Sequence, residues 1–155
     1  MKKIILSFGA YILLASFSVH RGKTNLSEKE TARLELKNGR GYTAQLSGVE
    51  QPESREPYGS GRAFFKFNPG QGTMYYYLEV HNIEPATSAS IHLGGAGESG
   101  PVVAELQAPV NGMSYTTINL DKSLIKAIMA NPGNYYVSVS NALNPDGAVR
   151  GQIAD

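Results

Sequence analysis

The chain has 155 residues, enough for one domain with its own core, and 14 Lys and Arg against 13 Asp and Glu leave a formal charge of +1. The absence of cysteine excludes disulfide scaffolds, thiolate metal sites, iron–sulfur clusters, cysteine nucleophiles and a lipid-modified cysteine at a mature N-terminus. There is no basic run and no stripe of interleaved aromatic and basic residues, so counterion release offers little drive toward nucleic acid.

The N-terminus sets the compartment. Met1-Lys2-Lys3 is followed by an apolar run from Ile4 to Phe17, and Ser16 and Ser18 are small residues at the −3 and −1 positions for cleavage after Ser18. Residues 1–18 therefore read as a signal peptide, and the protein as secreted or periplasmic, within the cell envelope. The run is shorter than the roughly 20 residues a spanning helix needs, and no membrane span is expected after cleavage. Loss of Lys2 and Lys3 takes the 14 basic residues to 12 against 13 acidic ones, a mature chain near neutrality. Residues 19–40 are polar and charged and read as a linker. Asn25-Leu26-Ser27 matches a glycosylation sequon too short to carry weight.

Leu34 and Leu36 alternate with charges, and Asn38-Gly39 supplies a turn before Tyr42-Thr43-Ala44-Gln45-Leu46, so an opening hairpin is expected. Short alternating runs then recur: 62–67, 73–81, 88–93, 102–106, 114–120, 135–140 and 148–153. Turn signals separate them, among them Pro69-Gly70, Asn111-Gly112 and Asn144-Pro145-Asp146-Gly147. That spacing over 41–155 predicts an antiparallel sandwich or barrel. Pairing Phe67 with Met74, Phe65 with Tyr76 and Ala63 with Leu78 aligns the apolar faces of two runs. The same register sets Phe64 against Tyr77 and Arg62 against Glu79 on the outer face. One segment has helical period instead. Leu124, Ile125, Ile128 and Met129 share a face, Asp121 is placed as N-cap, and Pro132-Gly133 lies beyond the end, so a short helix closing one end is expected.

Gly95-Ala96-Gly97-Glu98-Ser99-Gly100 spells a G-x-G-x-x-G, but the dinucleotide fingerprint needs a helix next, whose free amides hold the pyrophosphate. Pro101-Val102-Val103 begins a strand, and Glu98 would repel a phosphate. The stretch Gly94 to Gly100 reads as a corner between strands, with Pro101 stiffening the strand that follows.

Several segments together resemble the CHRD domain, named after chordin and also found as a stand-alone secreted bacterial module. They are Leu46-Ser47-Gly48-Val49-Glu50-Gln51-Pro52, Gly59-Ser60-Gly61-Arg62-Ala63, Ser90-Ile91-His92-Leu93-Gly94 with Gly100-Pro101-Val102-Val103, and Tyr135 to Ser140 with Asn144 to Ile153. The resemblance runs in order from about Tyr42 to Ile153. It implies an antiparallel Greek-key β-sandwich of superoxide-dismutase or immunoglobulin-like type with one short helix. It also marks Gly94, Gly97, Gly100, Pro101, Tyr136, Arg150 and Gly151 as motif residues with structural roles; for Arg150 the expectation is bonding to turn carbonyls or a carboxylate.

In the family pattern, histidines stand where this chain has Ser90 and Ser140, so His92 is the remaining candidate metal ligand. Strand alternation puts 90 and 92 on one face, and 138 and 140 on one face, an arrangement that could converge several imidazoles. A zinc or copper site needs three or four good donors and serine is a poor one, so no metal or other cofactor is expected. His81 falls on the outer face of its strand beside Tyr75 and Tyr77. The acidic residues are scattered, and no G-x-S-x-G elbow appears. The sequence thus predicts a non-enzymatic binding or structural module, whose partner is an unidentified extracellular or envelope protein or glycan. A metal-binding or redox module is the alternative.

Overall fold

The computed structural model describes residues 41–51 and 56–155. The expected signal peptide, the linker and the first arm of the opening hairpin lie outside the described residues. Eight strands form: β1 Tyr42–Ser47, β2 Ser60–Asn68, β3 Thr73–His81, β4 Ala86–Leu93, β5 Val102–Leu106, β6 Met113–Asn119, β7 Tyr135–Asn141 and β8 Val149–Ala154. Among the described residues one α-helix, α1, spans Lys122–Ala130, and a 3-10 turn over Pro132–Asn134 leads into β7.

The β2–β3 hairpin has the register that alternation predicts: Phe67↔Met74, Phe65↔Tyr76 and Ala63↔Leu78 inside, Phe64↔Tyr77 and Arg62↔Glu79 outside. Its turn is closed by Asn68, whose side chain accepts from Gln71 N at 3.0 Å while its carbonyl accepts from Gly72 N at 2.9 Å. Helix α1 is capped by Asp121, which accepts from Ser123 N at 2.7 Å, and it buries Ile125 and Ile128. Leu124 is partly buried against the core and Met129 is exposed at the rim, so the apolar face is narrower than the four-residue stripe expected.

All strand pairs are antiparallel, in the order β5-β4-β7-β8-β1-β2-β3-β6. The described residues are therefore all-β in class with one short helix. The hydrogen bonds form one continuous ladder, where a sandwich divides them between two sheets. The join is β1 against β8, and it depends on Gly151: a Cβ there would lie 1.9 Å from the Gln45 carbonyl oxygen, so only glycine admits β1 at this distance. The sheet curls into a half-barrel. Segment 107–112 runs from β5 at one end of the order to β6 at the other. Along it Gln107 N donates to Tyr76 Oη at 2.7 Å, and its carbonyl accepts from Ser114 Oγ at 2.8 Å.

Inside the curl lies one core in which Phe65, Met74, Tyr76 and Leu78 from β2 and β3 meet Ile91, Val137, Val139, Val149 and Ile153 from β4, β7 and β8. Each fully buried large side chain is worth about 1.5–3 kcal/mol relative to an exposed one. With that core on the inner face, the outer face of β4, β7 and β8 carries the polar residues of the motif segments.

Candidate functional site

On that outer face, β4 pairs His92 with Tyr136 of β7, which pairs with Gln152 of β8; one step along, Ser90 pairs with Ser138, which pairs with Arg150. Three of these side chains stack. The His92 and Tyr136 rings lie 4.8 Å apart and nearly parallel, and the Arg150 guanidinium carbon sits 3.7 Å from the centroid of the Tyr136 ring. This is within cation–π range, and burial strengthens it.

The stack holds the 94–100 loop from beneath. Arg150 is only 2% exposed, and its guanidinium donates to the Glu98 carbonyl at 2.9 Å, to the Gly95 carbonyl at 3.2 Å and to Gln152 Oε1 at 3.3 Å. Gln152 Nε2 in turn donates to the Gly94 carbonyl at 3.1 Å and to the Gly133 carbonyl at 2.7 Å, tying the loop to the turn after α1. Gly100 N donates to Tyr136 Oη at 3.2 Å. A carbonyl only accepts, so the 2.9 Å contact from His92 Nδ1 to the Gly100 carbonyl puts the proton on Nδ1; in the neutral ring, Nε2 then accepts from Ser90 Oγ at 2.8 Å. Within the loop, the Glu98 carboxylate accepts from Gly95 N at 2.8 Å.

The motif glycines differ in what they do. Gly97 has φ of +77° and open space around its missing Cβ, whereas a Cβ on Gly100 would lie 1.6 Å from the Leu93 carbonyl oxygen. At Gly94 the nearest atom to an added Cβ is on the Tyr136 ring, at 3.2 Å. Pro101 follows the loop, and its carbonyl accepts from Leu93 N at 3.0 Å.

The structure separates two positions that the sequence reading brought together. Ser140 pairs with Ser88, four residues of strand from Tyr136, the residue opposite His92. At about 3.3 Å per residue that offset is about 13 Å, so imidazoles at 92 and 140 do not converge on one ion. Among the described residues no group of three or more His, Cys, Asp or Glu is arranged to hold a metal. His81 is on the outer face as expected, its side chain 62% exposed and 3.2 Å from Glu79.

Glu79 also pairs with Arg62 at 2.9 Å and accepts from the Tyr77 hydroxyl. Burial alone would push the Glu79 carboxyl up, but the donors Tyr77, His81 and Arg62 together outweigh it and hold it below its ordinary value. Burial pushes the Tyr77 phenol up to about 12, with help from the carboxylate beside it. A shallow groove of about 370 Å³ lies away from the motif residues, at the β2–β3 turn, with Lys66, Asn68, Gln71, Tyr75 and Thr117 in its lining.

A second polar cluster gave no signal in the sequence. The Glu56 carboxylate accepts from Asn141 Nδ2 at 2.6 Å, from Asn144 Nδ2 at 2.9 Å and from Glu84 N at 2.5 Å, joining three connections. Asn141 and Asn144 are buried, and they also bond each other. Asn144 sits in an Asn-Pro-Asp-Gly turn and reads simply as a turn former, and Asn141 ends β7; that their amides meet a carboxylate 88 and 85 residues away is a tertiary fact.

The family model described as CHRD domain matches residues 42–153. The chain belongs to the CHRD domain family. The matched span covers every strand except the last residue of β8. It also includes the corner and the His92–Tyr136–Arg150 stack. At family level, CHRD domains are generally non-catalytic modules and typically extracellular. A search of curated proteins returned no match. Among the described residues no helix is long and apolar enough to cross a membrane.

Proposed function

We propose that this CHRD domain is a non-enzymatic binding or structural module that works outside the cytoplasm, exported by residues 1–18 and joined through the polar stretch 19–40 to the domain at 41–155. Its half-barrel is a variant of the Greek-key sandwich in which the two layers stay joined through β1 and β8. The supporting observation is where the polar groups of the motif segments spend their hydrogen bonds. Arg150, Gln152, His92 and Tyr136 all bond the backbone or one another around the 94–100 loop. A catalytic base or metal ligand has to present a lone pair to a reactant. In this arrangement Gly94, Gly97, Gly100, Pro101 and Gly151 shape the backbone, and Tyr136 and Arg150 hold it. Recognition is left to other surfaces, toward an extracellular or envelope protein or glycan.

Export is tested by mass spectrometry of protein recovered from medium and envelope fractions. A chain beginning near Val19 is expected, and intact Met1 in a soluble cytoplasmic pool would overturn the localisation. The binding role is tested by affinity capture from the native envelope; a hydrolytic or redox activity lost on His92→Ala or Arg150→Met would overturn it.

A further inference from the structure

Four connections gather at one end of the half-barrel, their described residues being 48–51 with 56–59, 82–85, 107–112 and 142–148. The ladder places them there, since Ser47 pairs with both Ser60 and Arg150, Ser60 pairs with His81, and Val80 N donates to the Gly112 carbonyl at 2.9 Å. Ala86 pairs with Asn141 at the same level. At this end stand Val49, Tyr58, Val110 and Leu143, which are 76%, 87%, 63% and 50% exposed. Scattered exposed apolar residues need no explanation, but four large ones on the connections of one end make a candidate contact surface.

Two further features say what that surface meets. The loops are braced: Glu56 ties Asn141, Asn144 and Glu84 together, Gln51 Nε2 donates to the Asp146 carbonyl at 2.9 Å, and Gly48 N donates to the Gly59 carbonyl at 2.9 Å. Side chains on a fixed backbone lose less entropy when they dock. The charge is also one-sided. The described residues of these connections carry Glu50, Glu56, Glu84 and Asp146 and no Lys or Arg. An anionic membrane or a nucleic acid is repelled by such a rim. An apolar protein patch bordered by lysine and arginine fits it.

We propose that this loop end is the recognition surface of the module and that its partner is a protein presenting an apolar patch with a basic border. The proposal rests on the binding role above and adds the surface and the partner's chemistry.

The test uses the isotope-labelled mature protein and a short amphipathic Lys/Leu peptide, with a Glu/Leu peptide as control. Nuclear magnetic resonance shifts are expected at Val49, Tyr58, Val110 and Leu143 with the basic peptide alone. Binding should weaken with salt, and about tenfold in the double variant Tyr58→Ser with Leu143→Ser. Both side chains are exposed, so the variant should keep its melting midpoint. Failure of the Lys/Leu peptide to bind, equal binding of both peptides, or shifts centred on α1 or the 94–100 loop overturns the proposal. A dimer in sedimentation velocity that the double variant abolishes assigns the surface to a second copy of the chain instead. An envelope protein captured equally by wild type and double variant removes this surface while the binding role stands.

Discussion

Gly97 and Gly100 lie three residues apart in one loop, yet alanine at the two positions should have very different costs. At Gly97 the added methyl meets nothing within 4 Å, so the penalty is the left-handed backbone alone, about 1 kcal/mol. At Gly100 the methyl would lie 1.6 Å from the Leu93 carbonyl oxygen and 2.8 Å from its carbon, backbone atoms that move only if β4 and the loop separate. Separation endangers three bonds: Leu93 N to the Pro101 carbonyl, His92 Nδ1 to the Gly100 carbonyl, and Gly100 N to Tyr136 Oη. At about 1 kcal/mol each, Gly100→Ala should cost about 3 kcal/mol. A domain of this size loses roughly 4 °C of melting midpoint per kcal/mol, so drops of about 4 °C and 12 °C are expected. Circular dichroism melts, checked by urea titration, measure both. Equal drops, or a larger one for Gly97→Ala, would refute the assignment of Gly100 as the close-approach residue of the corner.

Phe65 is fully buried and Phe64 lies on the outer face against Tyr77, with ring centroids 6.3 Å apart. Phe65→Ala should cost about 3–5 kcal/mol and Phe64→Ala about 1 kcal/mol in urea titrations, and equal losses would break the period-two assignment of β2. Glu79 has its folded-state pKa lowered, so its stabilisation is full above the unfolded value of about 4.3 and is lost as pH falls through the lower folded value. The stability gap between wild type and Glu79→Gln, followed by urea titration across acidic pH, should therefore close as pH drops; a gap that widens there contradicts the clamp formed by Tyr77, His81 and Arg62.

Legibility in the sequence followed the range of the interactions. The β2–β3 register and the Asp121 cap could be read because alternation, turn residues and cap chemistry act within a few residues. The outer-face position of His81 followed from the same alternation. The join between β1 and β8 was not legible: Gly151 stands out as a motif residue, but nothing local says that the Gln45 carbonyl fills the space its side chain would need. The histidine pattern misled in one respect, since sharing a face does not bring residues to the same level, and Ser140 lies about 13 Å along the strand from the residue facing His92. The Arg150–Tyr136–His92 stack was half legible. The sequence marked the residues and anticipated carbonyl partners for Arg150, while the stacking order needed the register of three strands. The Glu56 cluster stayed hidden because each of its members is an ordinary loop or strand-end residue.

The most direct measurement is metal analysis by inductively coupled plasma mass spectrometry of mature protein and its His92→Ala variant, each incubated with zinc and copper and then gel-filtered. A corner clamp predicts far less than one ion per chain in both samples, with the variant melting a few degrees lower for the loss of the Gly100 bond, about 1 kcal/mol. One zinc or copper per wild-type chain, lost in His92→Ala, would contradict it.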